Sequence, residues 1–346
     1  MTLRSTPMHV SRLASTLAVA LSLCFSSTAG ANYAEREDVR TFIDELSERH
    51  GLDRARLSDE FGRARHEPRV ISLIRPSGKP GVRSWQGYRA RFLDRARIEG
   101  GLDFWTEYEP LLLMAEERFG VPAEIIVAII GVETVYGRHT GNFETLSALT
   151  TLAFDYPPRA ELFRRELENL FLLAREQGRE AGSYYGSYAG ALGYPQFLPS
   201  SMRNYAVDFD GNGVIDFESS PVDAIGSVAN YLKVHGWQPG APIATRADLG
   251  PNTVPGPLIA AGIEPALSPE TIMAAGIQAR DLQPVMAPAT LVDLETPGID
   301  TEYWLGYRNF YVITRYNRSS FYAMSVFELA QALRERRIAQ TAPSAR

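Results

Sequence analysis

Pro122-Ala123-Glu124-Ile125-Ile126-Val127-Ala128-Ile129-Ile130-Gly131-Val132-Glu133-Thr134 decides how the rest of the chain is read. Residues 125–132 are apolar on nearly every side, and a helix of that kind is buried. Proline suits a first helical position, so Pro122 opens it, and Gly137 is its expected stop. A buried helix needs other helices around it. Upstream, residues 35–66 carry Val39, Phe42, Ile43 and Leu46 at helical spacing, and residues 102–119 are amphipathic up to Gly120. Between them Pro76, Gly78, Pro80 and Gly81 mark a loop. Downstream, residues 146–154, 160–177, 222–235 and 325–338 read as helices. From Pro239 to about Asp300 prolines and glycines recur and the helical period weakens. Residues 299–316 are aromatic and β-branched, as strands are. The expected fold class is α+β, mainly α, with a small β-containing insertion.

The 346 residues are 45% hydrophobic, enough for a real core. A formal charge of -6 gives no basic face for nucleic acid. Sixteen tyrosines and sixteen phenylalanines offer the flat faces that sugar-binding grooves use, although most of them must fill the core. Residues 1–31 read as an export signal: Arg4 and Arg12, an apolar run over 13–25, then Ala29-Gly30-Ala31 as the cleavage site. The run is short for a membrane span. The one cysteine, Cys24, follows Leu23, whereas lipoproteins place a small residue before the lipidated cysteine. A soluble periplasmic chain beginning near Asn32 is expected, with an outer-membrane lipoprotein anchored through Cys24 as the alternative. Without Cys24 the processed chain needs no disulfide.

Glu133 shares a helix face with Ile126, Ile129 and Ile130. A carboxyl at the end of such a stripe loses hydration, and desolvation raises its pKa. It then stays protonated near neutrality, as a general acid for glycosidic cleavage must. A glutamate at a helix end that merely reaches solvent remains the other reading. The glycine-rich stretch 182–201 fits a sugar-binding wall, because glycine lets backbone approach a ligand closely. In it, Ser187 and Gln196 can hydrogen-bond sugar, and Tyr194 and Phe197 can pack on rings; an ordinary surface loop has the same composition. Asp208-Phe209-Asp210-Gly211-Asn212-Gly213-Val214-Ile215-Asp216 has the start of an EF-hand-type calcium loop. Asp208, Asp210 and Asn212 supply alternate oxygens, Gly213 the sharp turn and Val214 a carbonyl, while Ile215 packs inward. The usual glutamate at the twelfth position is absent, since Ser219 stands there.

Gly131-Val132-Glu133-Thr134 followed by Tyr136-Gly137-Arg138 resembles the catalytic stretch of the lytic murein transglycosylase B family, glycoside hydrolase family 103. The resemblance continues, in order, through residues 149–157, 186–197, 221–231 and 313–317, nearly the whole processed chain. It implies a lysozyme-like core flanked by a helical part and the β-containing insertion. The expected divisions are a signal at 1–31, a helical part at 32–105, a catalytic core at 106–237, the insertion at 238–315 and a return to the core at 316–340. The resemblance also implies cleavage of the β-1,4 bond between N-acetylmuramic acid and N-acetylglucosamine without water. The muramic 6-hydroxyl attacks its own anomeric carbon and leaves a 1,6-anhydro end. Glu133 acts twice, as acid and then base, where most glycosidases need two carboxylates.

By the same resemblance Ser187, Gln196, Tyr88, Tyr231, Tyr316 and Asn317 line the substrate groove, with Asn317 holding an N-acetyl group. Arg159 matches one of two neighbouring arginines that meet the substrate's peptide or carboxylate; Pro158 stands where the other would be. The family's calcium loop is closed by a later aspartate, matched by Asp223 with one extra residue before it, and Glu218 competes for that place. No cofactor is expected for catalysis, and Ca2+ is expected as a structural ion. The expected partners are peptidoglycan glycan strands, with other cell-wall enzymes left open, no nucleic acid, and a monomeric chain. Two rival functions remain: a hydrolytic muramidase using Asp155 or Glu144 as its second carboxylate, and a non-catalytic peptidoglycan-binding protein, which would gain nothing from a desolvated acid.

Overall fold

The computed structural model describes residues 32–76, 82–280 and 287–341; the expected export segment with Cys24, and Gly78, Pro80 and Gly81 of the expected loop, lie outside them. At the centre is the helix Ala123–Thr134. Ten of its twelve residues are buried, and the other two, Glu124 and Glu133, are half-buried. Arg95–Glu107, Glu109–Phe119, Val222–Val234 and Ser320–Thr341 pack around it. Each fully buried isoleucine or valine contributes about 1.5–3 kcal/mol of transfer free energy, so the helix anchors the main core. Pro122 sits one place earlier than expected, as the extended residue that precedes the helix.

A second helical group holds Glu37–His50, Arg54–Arg63, Pro68–Ile74, Thr145–Asp155 and Ala160–Glu176. Phe42, Phe61, Phe154 and Phe171 join it, with ring centroids 5.2–6.3 Å apart. Two expected single helices are each broken. The 35–66 helix stops at Gly51, whose φ of 62° ends it, and restarts where the Asp53 side chain accepts the Arg56 amide at 2.7 Å. The 102–119 helix starts earlier, at Arg95, and breaks at Tyr108, because Pro110 cannot donate the next helical bond.

The insertion is a four-stranded antiparallel sheet in the order Ile277–Ala279, Ala244–Leu249, Ile299–Gly306, Thr290–Thr296. Thr290–Thr296 is buried on both faces: Leu291 joins a small core with Ala247, Ile272, Ile277 and Leu305, while Val292 and Leu294 enter the main core. The expected strand over 299–316 is strand only to Gly306. Arg308–Tyr316 is a helix, because Phe310 and Ile313, three apart, both enter the main core, and that burial overrides β propensity. The last helix begins at Ser320, ahead of the expected 325. A short antiparallel pair, Phe143–Glu144 with Tyr185–Gly186, sets the glycine-rich stretch beside the Thr145–Asp155 helix. Among the described residues no helix is long and apolar enough to cross a membrane. The fold is mainly α with small antiparallel sheets.

Candidate active site

The central helix ends before Gly137, the expected stop. Val135 and Tyr136 both take left-handed backbone, with φ of 52° and 60°. For such residues this conformation costs about 1–3 kcal/mol and persists only where the surroundings fix it. Here they do. The Tyr136 hydroxyl donates to the Arg97 carbonyl at 2.7 Å, and Arg97 Nε donates to the Gly131 carbonyl at 3.0 Å. The Thr134 hydroxyl lies 3.0 Å from the Tyr194 carbonyl and accepts the Gly137 amide at 3.0 Å. Gly137 has no room for a side chain, since a Cβ would fall 2.3 Å from the Tyr194 ring. The end of the helix, and Glu133 with it, is held in place.

The Tyr322 hydroxyl donates to Glu133 Oε1 at 2.6 Å. Burial pushes the Glu133 carboxyl up to about 7, and the Tyr322 hydrogen bond partly opposes that rise. Near neutrality both protonation states are accessible, as a group that must give a proton and then take one requires. Tyr88 and Tyr316 lie close enough that, after burial, the Glu133 charge is the next cause raising each of their pKa values. The Tyr316 hydroxyl donates to the Pro195 carbonyl at 2.6 Å, and its ring stacks with Tyr322 at 6.4 Å and 14°. Tyr322 was not among the expected residues. It lies on the C-terminal helix outside every resembling block, and nothing in its local sequence separates it from Phe321 beside it.

Tyr231 stands behind Tyr316. It is 8% exposed, its hydroxyl donates to the Arg315 carbonyl at 2.7 Å, and its ring meets Phe197, Tyr205, His235 and Tyr316. Phe197, expected to pack on a sugar ring, is 2% exposed and faces Phe217, Tyr231 and Tyr316; its ring is spent on the core. Ser187 Oγ accepts the Ala189 and Ala191 amides at 3.3 and 3.0 Å, which shapes the loop and leaves its own proton to donate. Gln196 has a φ of 51°, and its amide nitrogen donates to the Thr140 and Gly193 carbonyls at 3.0 and 2.9 Å. What it offers a ligand is its carbonyl oxygen. Asn317 is exposed at the end of Arg308–Tyr316, and its side chain forms no hydrogen bond among the described residues. Arg159 is exposed over the Phe163 ring at 5.3 Å and forms no hydrogen bond, ion pair or ring contact with the cluster around Glu133.

Neither carboxylate of the hydrolytic rival acts on Glu133. Asp155 accepts from Arg36 and Tyr33, both at 2.5 Å, and pairs with His66 at 3.1 Å. Glu144 accepts from the Ser147 hydroxyl. Among the described residues the groups that interact with the Glu133 carboxyl are tyrosines: Tyr322 by its hydrogen bond, Tyr88 and Tyr316 by proximity.

In the loop that begins at Asp208, carboxylate oxygens of Asp208, Asp210 and Asp223 all lie within 4.8 Å of one another. Oxygens on one calcium, each 2.3–2.6 Å from the ion, span about that distance, and hard oxygen donors suit it. Asn212 Oδ1 accepts the Val214 amide at 2.8 Å, and Gly213 turns with a φ of 89°. Ile215 packs against the core. Glu218 is turned away to Arg179 at 3.2 Å, whereas Asp223 is buried and accepts the Phe209 and Asp216 amides at 2.7 and 2.8 Å. Each carboxylate oxygen keeps a second lone pair, so the donor set fits a cation.

The sequence pattern of the transglycosylase SLT domain family (SLT_2) matches residues 34–331. Membrane-bound lytic murein transglycosylase B of Escherichia coli (strain K12) is 41% identical over 314 residues, 88% of this chain and 84% of that one. Soluble lytic transglycosylase SltB1 from Pseudomonas aeruginosa superposes with a TM-score of 0.81 at 44% identity, covering 87% of this chain and 99% of that chain. The Escherichia coli lytic transglycosylase Slt35 in complex with calcium gives 0.80 at 41% identity, covering 89% and 96%. A match of this extent, over the helix that carries Glu133 and the strands inserted beside it, means that the chain belongs to the transglycosylase SLT domain family.

Proposed function

We infer that this chain is a peptidoglycan lytic transglycosylase with Glu133 as its acid and base. The observation that carries the reading is one desolvated carboxyl, hydrogen-bonded by Tyr322, with neither Asp155 nor Glu144 acting on it. Glu133 gives its proton to the bridging oxygen as the bond to the muramic anomeric carbon breaks. The 6-hydroxyl oxygen then bonds to that carbon and returns its proton to Glu133. No water enters, and tethered attack of this kind has the advantage of proximity. Tyr88, Tyr316, Ser187 and the Gln196 carbonyl position the glycan, Asn317 holds the N-acetyl group, Tyr231 braces Tyr316, and Arg159 meets the stem peptide. Asp208, Asp210, Asn212, the Val214 carbonyl and Asp223 hold a structural Ca2+.

Digestion of purified sacculi in heavy-oxygen water tests this. Products should carry unlabelled 1,6-anhydromuramic ends and be one water lighter than hydrolysis products. Labelled reducing ends as the main product reject the mechanism in favour of a muramidase, and the absence of any released muropeptide favours a binding protein. The chain is further proposed to work in the periplasm as a soluble monomer after cleavage near Ala31. N-terminal sequencing of exported protein checks this, and a lipid-modified start at Cys24 would place it on the membrane instead.

A further inference from the structure

One turn beyond Glu133 the chain borders a separate cavity of about 210 Å3. Phe104, Tyr136 and Tyr194 form aromatic walls, and Asp103, Glu107 and Arg138 stand exposed around it. Asp103 and Glu107 are four apart on Arg95–Glu107 and so share a face. Burial, and then the neighbouring Glu107, raise the pKa of the Tyr108 hydroxyl. Among the described residues neither acid forms an ion pair within 4.0 Å, and neither does Arg138, although all three border the same space. Nearby arginines behave differently: Arg97 closes on Asp94 at 2.5 Å, and Arg89 on Glu328. Opposite charges that border one aromatic cavity without pairing complement a ligand that carries both charges.

The walls are set in advance. The Tyr136 hydroxyl is fixed on Arg97 and the Tyr194 ring is seated against Gly137, so little ordering is left to oppose binding. The volume is below the roughly 300–1,000 Å3 of pockets for drug-sized ligands, so the occupant is a group about the size of one residue. Peptidoglycan sugars are N-acetylated and carry no ammonium. The diamino acid of an uncross-linked stem peptide carries a free ammonium and a carboxylate on one short side chain.

We propose that this cavity is a stem-peptide subsite, in which Asp103 and Glu107 take the free ammonium of a diamino acid and Arg138 takes its carboxylate. The identity of the ligand rests on the peptidoglycan reading above; the charge complementarity does not. The test is calorimetric titration of the full chain with N-acetyl-L-Ala-γ-D-Glu-meso-diaminopimelic acid, and with the same peptide acetylated on the side-chain amine. Saturable binding is expected for the first probe. It should weaken about tenfold or more on acetylation, in Arg138→Gln, and in the Asp103→Asn/Glu107→Gln double variant, since one charge-assisted hydrogen bond is worth about that much. Absence of saturation, equal binding of the acetylated probe, or wild-type binding by both variants overturns the proposal. All three substituted positions are exposed, so the variants should fold.

A second arm uses strands with stem peptides and strands stripped of them by an amidase. The double variant should lose kcat/KM about tenfold on the first and keep it on the second. Equal loss on both means that the substitutions act through the catalytic helix, and rejects the subsite. If wild type cleaves neither strand, the transglycosylase reading fails while the titration still decides whether the cavity binds a zwitterion.

Discussion

Burial lifts the Glu133 carboxyl to about 7 from an ordinary 4.5. Between those values the folded chain holds a proton that the unfolded chain has released, so this group's contribution to stability falls as pH rises through that window. Glutamine has no such dependence. Glu133→Gln should therefore melt higher than wild type at about pH 8, by the equivalent of about 1–3 kcal/mol, with the gap closing by about pH 4. The same variant should lose turnover by roughly 10²–10⁴-fold, the worth of general acid catalysis. Melting curves at both pH values and a turnover assay check this. Identical melting at both, or more than about a tenth of wild-type activity, would remove Glu133 from its role. Tyr322→Phe removes the hydrogen bond that holds the carboxyl down. Its falling alkaline limb should move to higher pH, because the protonated acid survives longer, and kcat should drop about tenfold. An unchanged pH profile would show that the bond does not tune the acid.

The loop that begins at Asp208 sets its prediction at the level of one element. Three carboxylates within 4.8 Å repel one another unless a cation joins them, and an ion bound only by the folded state stabilises it by about 2.7 kcal/mol at a hundred times its Kd. Chelation should lower the melting temperature by several degrees and added calcium restore it. Asp223→Asn should abolish that response and Glu218→Gln preserve it; the reverse pattern would make Glu218 the closing ligand. The motif and its turn were legible in the sequence, but the choice between Glu218 and Asp223 was not, because spacing does not reveal that Arg179 claims Glu218. Helices showed the same limit. The all-round apolar run located the buried helix, and the family resemblance, added to its place on the Ile126–Ile130 face, singled out Glu133. The break at Tyr108 depended on one proline, and Arg308–Tyr316 was hidden by β-branched residues that read as strand until Phe310 and Ile313 are seen to share a core. Tyr322 carried no local signal, since its partner Glu133 is 189 residues away in sequence.

Across the described residues, the first and last segments both pack onto the main core. Ser320–Thr341 packs on the central helix Ala123–Thr134, while Tyr33, 1% exposed, donates to Asp155 at the end of Thr145–Asp155. Arg36 and His66 converge on the same carboxylate, which ties the first described turn to the interior. That arrangement gives Asp155 a structural task and makes it a discriminating position, because a hydrolytic mechanism would ask it to activate water. Asparagine keeps its shape and removes the charge that Arg36 meets. Breaking a partly buried, charge-assisted bond of this kind costs about 1–3 kcal/mol, which in a chain of this size lowers the melting temperature by several degrees. Asp155→Asn should therefore melt lower, retain kcat within about threefold at a temperature where it is folded, and still release anhydro ends. Calorimetry paired with mass spectrometry of the products decides between the two roles. If the variant melts like wild type but loses turnover, Asp155 is a member of the active site and the single-acid mechanism is wrong. If it melts lower and cuts normally, the charge serves to fasten the N-terminal segment over the core that positions Glu133.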